Sequence, residues 1–347
     1  MLVSLEEYRQ LAANGVSKQT ATVIAQDVLR ITRFMGFNDA PALEAHADLS
    51  NAMSHALGME DSDSIAGRIK VAIAKFKEWL LKTYNMIKDQ IGAMLVSFNK
   101  MRERIEVLRG TAKSIPDSSK TEVHIPANMA QQVAIQGDFS DANLASLQKV
   151  AQFGSTTYPE AINEFFLELA TVVKSYSPTE SADTMVDAIN QSLAPLNFSN
   201  IDNDVYPGNV MITPDEDGYN YSIAQVEARQ VEGDITRPVR GGAEIQTVLN
   251  ELTKVIDIAE KIEGTSTTIE TSVGKVIEAA DSLSAKVKTA DEEQQNNASS
   301  LVSLVLSSTN KVNNSSANII RYLGRVINAH LAIIEHEVKV ATTAQRA

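Results

Sequence analysis

The chain of 347 residues carries 31 Lys+Arg against 44 Asp+Glu, a formal net charge of −13, and contains no cysteine. This excludes a disulfide framework, a cysteine-ligated zinc or iron–sulfur centre and a cysteine nucleophile, and the acidic total speaks against a general nucleic-acid coat. A hydrophobic content of 44% is that of an ordinary globular chain, long enough for two or three domains.

Residues 1–60 read as short helices. Ser4 and Glu7 have capping-box spacing, and Gly15 and Gly36 stand where helices would end. The opening Met1-Leu2-Val3-Ser4-Leu5-Glu6-Glu7 lacks the basic start and apolar core of a secretory signal. A reducing cytoplasm is therefore the expected place of synthesis. No stretch approaches the roughly 18 consecutive apolar residues of a transmembrane helix. Gly58 to Ser64 is polar and reads as a linker.

Residues 61–115 carry the clearest pattern. Ile65, Ile69, Ile73, Phe76, Leu80, Tyr84, Ile87, Ile91, Leu95, Phe98, Met101, Ile105 and Leu108 follow one another in steps of three or four, and no proline intervenes. That is the stripe of one long amphipathic helix. The segment is also basic: residues 66–113 hold 11 Lys+Arg against 4 Asp+Glu. Arg68, Lys70, Lys75, Lys77, Lys82 and Lys88, with Phe76 and Trp79 among them, suit contact with DNA, a capsid wall or a membrane surface. The plainer reading is a packed helix whose charge neutralises the acidic middle of the same chain.

Residues 116–240 form that middle, with 6 basic against 18 acidic residues over 114–240. Val123-His124-Ile125-Pro126 reads as extended. Helices are expected over 141–153, 159–176 and 183–193. Asn209 to Thr213 and Tyr219 to Ile223 flank the turn Pro214-Asp215-Glu216-Asp217-Gly218, which predicts a β-hairpin. Val226 to Val231 is a candidate further strand. Residues 241–347 return to helix, with one stripe from Ile245 to a stop near Gly264 and others from Ile269 to Val338. Their Ser-, Thr- and Asn-rich outer faces imply helices that need neighbours for stability. The predicted fold is mainly α. Long amphipathic helices form an elongated bundle, with a small α+β middle region containing the hairpin.

Few residues suggest chemistry. Gly241-Gly242 is a lone pair before a helix and reads as a hinge. His46, His55, His124, His330 and His336 include no pair spaced i,i+4 for a helical zinc site. Asp215, Asp217 and the pair Asp202/Asp204 lack the spaced ligands of a calcium loop and read as solvated turns. No serine nucleophile elbow occurs. No catalytic residue, cofactor, metal or small-molecule substrate is expected, and a non-enzymatic role follows.

Several stretches together resemble the internal head (inner virion) proteins of large and jumbo tailed bacteriophages. They are the basic helix from Ile65 through Lys82, the block His124-Ile125-Pro126 through Gln132 to Gly137, Tyr206-Pro207-Gly208-Asn209, and the terminal helix from Arg321-Tyr322-Leu323 to Val338. The resemblance implies a virion component made in the host cytoplasm and housed inside the capsid with other virion proteins and packaged DNA. It also implies an N-terminal propeptide, removed by a prohead protease that cuts after a small-x-Glu pattern, and a mature product that could be ejected with the genome. Gly58-Met59-Glu60 fits that pattern, as do Ser4-Leu5-Glu6 and Gly242-Ala243-Glu244; the linker position favours Glu60. Two other classes remain open to the sequence: a helical pore-forming toxin component, and an intracellular coiled-coil scaffold or interaction protein.

Overall fold

The structure, a computed structural model, describes residues 65–117, 121–177, 182–198, 204–312 and 315–345. Helix α1, Ile65–Ala112, is 48 residues long, which at about 1.5 Å per residue spans about 70 Å. Its predicted stripe is its buried face: Ile73, Phe76, Leu80, Tyr84, Ile91, Phe98, Met101, Ile105 and Leu108 are all buried, and Leu95 packs against them half-covered.

The middle region begins with strand β1 (Glu122–Ile125) and a short α2 (Ala127–Gln131). Helices α3 (Leu144–Gln152), α4 (Tyr158–Ser175) and α5 (Ala182–Ser192) follow. The sequence separates α3 from α4, whereas the chain runs between them through a π-helical turn, Phe153–Thr157. Pro159 supplies the reason. It has no N–H to give the carbonyl of Ser155 four residues earlier, so the helix cannot continue regularly there. Thr265 donates to that carbonyl instead, at 3.0 Å. Gly154 lets the turn close against Ile319, whose side chain would collide with any Cβ.

The hairpin is present, with its first strand moved by one residue and its second by two. Strand β2 (Val210–Pro214) pairs antiparallel with β3 (Tyr221–Gln225), placing Ile212 opposite Ile223. The Asp215 carboxylate accepts the backbone N–H groups of Tyr219 and Asn220 and the Asn220 side-chain amide, which occupies it within the turn. Asp204 pairs with Lys149 at 2.9 Å, and Asp202 lies outside the described residues.

Val226 to Val231 is not a strand. Side chains take up its backbone groups: Asn209 donates to Arg229 O, and Gln131 accepts from Val231 N. The strand comes later, as β4 (Ile235–Pro238), antiparallel to β1.

Four helices complete the chain: α6 (Gly242–Ala259), α7 (Ile262–Val287), α8 (Glu292–Asn310) and α9 (Ser315–Ala344). The first stripe stops at Ala259, before the predicted Gly264, which falls in the first turn of α7. Asp291 and Gln294 form the capping box that starts α8. Helices α6 and α7 run antiparallel to α1 along one of its edges, and α9 runs beside the other edge in the same direction as α1, with α8 also against α1.

Gly241-Gly242 is not a hinge. A Cβ on Gly242 would enter the Ala112 and Ile115 carbonyls, and one on Gly241 would meet Asp117. The pair makes a tight crossing of chain segments. Among the described residues no helix is long and apolar enough to cross a membrane.

Candidate functional site

The predicted contact residues all lie on α1. The side chains of Arg68, Lys70, Lys75, Trp79 and Lys82 are outside the described part of the structure, as are residues Gly58, Met59 and Glu60. Lys77 and Lys88 are described, and both face carboxylates. Lys77 Nζ lies 2.7 Å from both carboxylate oxygens of Asp281. Lys88 Nζ lies 3.9 Å from Glu270, whose carboxylate also accepts the Tyr84 hydroxyl at 2.9 Å. Burial, opposed by a hydrogen bond with Ser266 and reinforced by Glu270, raises the Tyr84 hydroxyl pKa.

The same edge of α1 continues with arginines that the sequence reading did not single out. Arg102 spans Asp257 at 2.5 Å and Glu260 at 2.6 Å. Hydrogen bonding to Glu260 outweighs desolvation and holds its guanidinium pKa above the ordinary value. Arg109 reaches Asn250 at 2.8 Å and Thr253 at 2.9 Å, and its carbonyl accepts from Gln246. As position rises along α1, the partner's position falls along α7 and then α6. The result is a ladder between antiparallel helices. The acidic middle was the expected partner; the acids of the ladder come from the C-terminal helices instead, because those run beside α1.

A second charged cluster sits near the far end of α9, and its central carboxylate is closed to water. Glu337 is fully buried. It accepts from Arg237 Nη2 at 2.5 Å and Nε at 3.1 Å, and from Arg240 Nε at 2.7 Å. Arg240 Nη1 also holds both oxygens of Asp141, at 2.9 and 3.0 Å. The Arg237 guanidinium lies 4.9 Å from the Phe139 ring centroid.

Two turns earlier on α9, His330 is buried with no hydrogen-bond partner at Nε2. Burial, with Arg240 adding to it and Asp141 opposing, pushes its pKa down to about 4. The sequence carried a signal for this cluster: His330 and Glu337 occupy the apolar stripe of α9, among Ile334, Val338 and Ala341. A carboxylate on such a stripe needs a cation brought from elsewhere.

The structure also gathers three stretches that are far apart in sequence. Gly208 N donates to Ala134 O at 2.9 Å. Gln136 N donates to Asn209 Oδ1 at 2.7 Å, and the Tyr322 hydroxyl donates to Pro207 O at 2.8 Å. His336 Nε2 lies 3.0 Å from His124 O. Gly208 and Asn209, with φ of 81° and 57°, turn the chain into this meeting point.

Chemically the two clusters differ. The buried one is saturated by its own members and fixes how α9, the β1–β4 pair and the Asp141 turn sit together. The ladder is half-exposed, and its cations are already paired with carboxylates of α6 and α7. Among the described residues no group of three or more His, Asp or Glu side chains is placed to hold a metal ion.

No curated protein and no solved structure matches the chain significantly. The profile of the phiKZ-like phage internal head proteins matches residues 1–336, nearly the whole length, and takes in the basic helix and the gathered stretches alike. The chain thus belongs to the phiKZ-like phage internal head proteins and is a structural component of the virion, located inside the capsid.

Proposed function

We propose that this protein is a non-enzymatic filler of the phage head, cut after Glu60 during maturation, whose basic helix faces packaged DNA or the capsid wall. The observation that carries this reading is the family match over residues 1–336. The choice of Glu60 rests on sequence and on the fate of its competitor. Gly242-Ala243-Glu244 is folded into the start of α6, with Gly242 buried and the Glu244 carboxylate accepting Gly241 N at 3.1 Å. A protease needs an extended segment, so that motif would have to unfold first.

On this reading the N-terminal stripe of Arg68, Lys70, Lys75 and Lys82, with Trp79, makes the outward contact. The acidic middle keeps the protein soluble at high packing density. Mass spectrometry of purified virions tests the processing: the expected N-terminus is Asp61. An intact Met1 in every virion copy would refute it.

A further inference from the structure

We propose that the groove between α1 and α9 is where this protein holds a nucleic-acid sugar–phosphate backbone. The proposal rests on the reading that the protein contacts packaged DNA, and it adds to the N-terminal stripe of α1 a second contact surface made by other residues.

Three observations carry it. First, the outer face of α9 is cationic. Arg321, Arg325 and Lys339 are exposed and recur with Asn328, Ala332 and Glu335 in steps of three and four, so they share one helical face. None of the three cations pairs with a carboxylate among the described residues.

Second, α1 supplies the other wall. Gly324 faces the end of the Met101 side chain, where a Cβ would lie 3.6 Å from it, so the two helices meet here through side chains of α1. Arg104 crosses the gap to Asn328 at 2.6 Å and Glu335 at 2.9 Å. Lys100, one turn before Arg104, is exposed.

Third, the charge balance differs from that of the opposite edge of α1. The groove offers Lys100, Arg104, Arg321, Arg325 and Lys339 against Glu335 and Glu103, within a chain of net charge −13. On the opposite edge of α1, Lys77, Lys88 and Arg102 already face the carboxylates of α6 and α7. On the groove edge of α1, unlike the other, positive charge therefore stays available to an outside polyanion. From Arg321 to Lys339 the groove runs about 27 Å along α9. That is the length of roughly eight phosphate steps of one duplex strand. Arginine and lysine without a base-reading element imply binding without sequence preference.

The test is fluorescence anisotropy of a labelled 20-base-pair duplex with the full chain, titrated from about 25 to 200 mM salt. Wild type is compared with a groove variant (Arg321→Gln, Arg325→Gln, Lys339→Gln) and a stripe variant (Arg68→Gln, Lys70→Gln, Lys75→Gln, Lys82→Gln). Far-UV circular dichroism checks that each keeps wild-type helicity. The groove variant is expected to bind at least tenfold more weakly at low salt, with a log–log salt slope shallower by about 3 for three lost phosphate contacts.

A groove variant that binds like wild type, while the stripe variant loses affinity, overturns the groove and leaves the DNA-contact reading standing. Wild type that fails to bind duplex at low salt overturns both. Binding to phosphatidylserine vesicles without binding to DNA also overturns the proposal, since the groove would then serve a membrane surface.

Discussion

The ladder along α1 and the cluster around Glu337 are built from the same chemistry, cationic side chains against carboxylates, yet they do opposite work. In the ladder the acids stay wet: the Asp281, Asp257 and Glu270 side chains are 60%, 55% and 51% exposed. Around Glu337 water is gone, the carboxylate being 0% exposed and Arg240 only 8%. Exposed pairs are worth little individually, because water competes and salt screens them. A buried pair gains little over an apolar replacement, but losing one partner strands a desolvated charge. The ladder therefore orients helices that apolar packing already holds. The cluster locks a particular junction.

Breaking the cluster should have the largest effect. Glu337→Ala leaves Arg237 and Arg240 facing a void and should cost about 3–5 kcal/mol. Urea denaturation followed by circular dichroism measures it, and a loss under about 1 kcal/mol would mean that water reaches the site.

Acid comes next. The buried imidazole of His330 has its pKa lowered to about 4 from an ordinary 6.5. The folded state thus binds fewer protons than the unfolded chain between those values. Its contribution is fully present above pH 6.5 and is lost as pH falls towards about 4. The loss is on the order of 3 kcal/mol. His330→Leu should flatten that part of the stability profile between pH 7 and 4, and an unchanged profile would assign the acid sensitivity to other groups.

In the ladder, Arg102→Ala should cost about 1 kcal/mol or less, and the difference from wild type should shrink at 0.5 M salt. A salt-independent loss would show that the Arg102 stem acts by packing. Lys88→Ala should be smallest, within about 0.5 kcal/mol, since its ion pair is long and both partners are exposed.

The α1 stripe was legible because a helix repeats its buried positions locally: steps of three and four from Ile73 to Leu108 needed no knowledge of what covers them. The hairpin was legible for a similar reason, since Asp215 and Gly218 mark a turn wherever the flanking strands pack. The π turn was half-written in Pro159, whose missing N–H removes one bond, but the donor that replaces it, Thr265, lies 110 residues away. Strand β4 escaped because its partner β1 is equally remote, and four residues are too few to show alternation. The direct binding candidates named from sequence covered the first half of α1; Arg102, Arg104 and Arg109 carry the same charge but became distinctive only through their neighbours.

By itself the sequence determined that the chain is mainly helical, that a net positive balance falls in one long helix, and that it resembles phage internal head proteins. Those properties are local or cumulative, and a single chain displays them. The tertiary structure decided which acids face that helix. It also decided that Glu337 meets Arg237 and Arg240 across 100 and 97 residues, and that α9 rather than the acidic middle lines the other edge of α1. Such pairings depend on the direction and register in which helices pack, and apolar periodicity reports only that a face is buried, not against what.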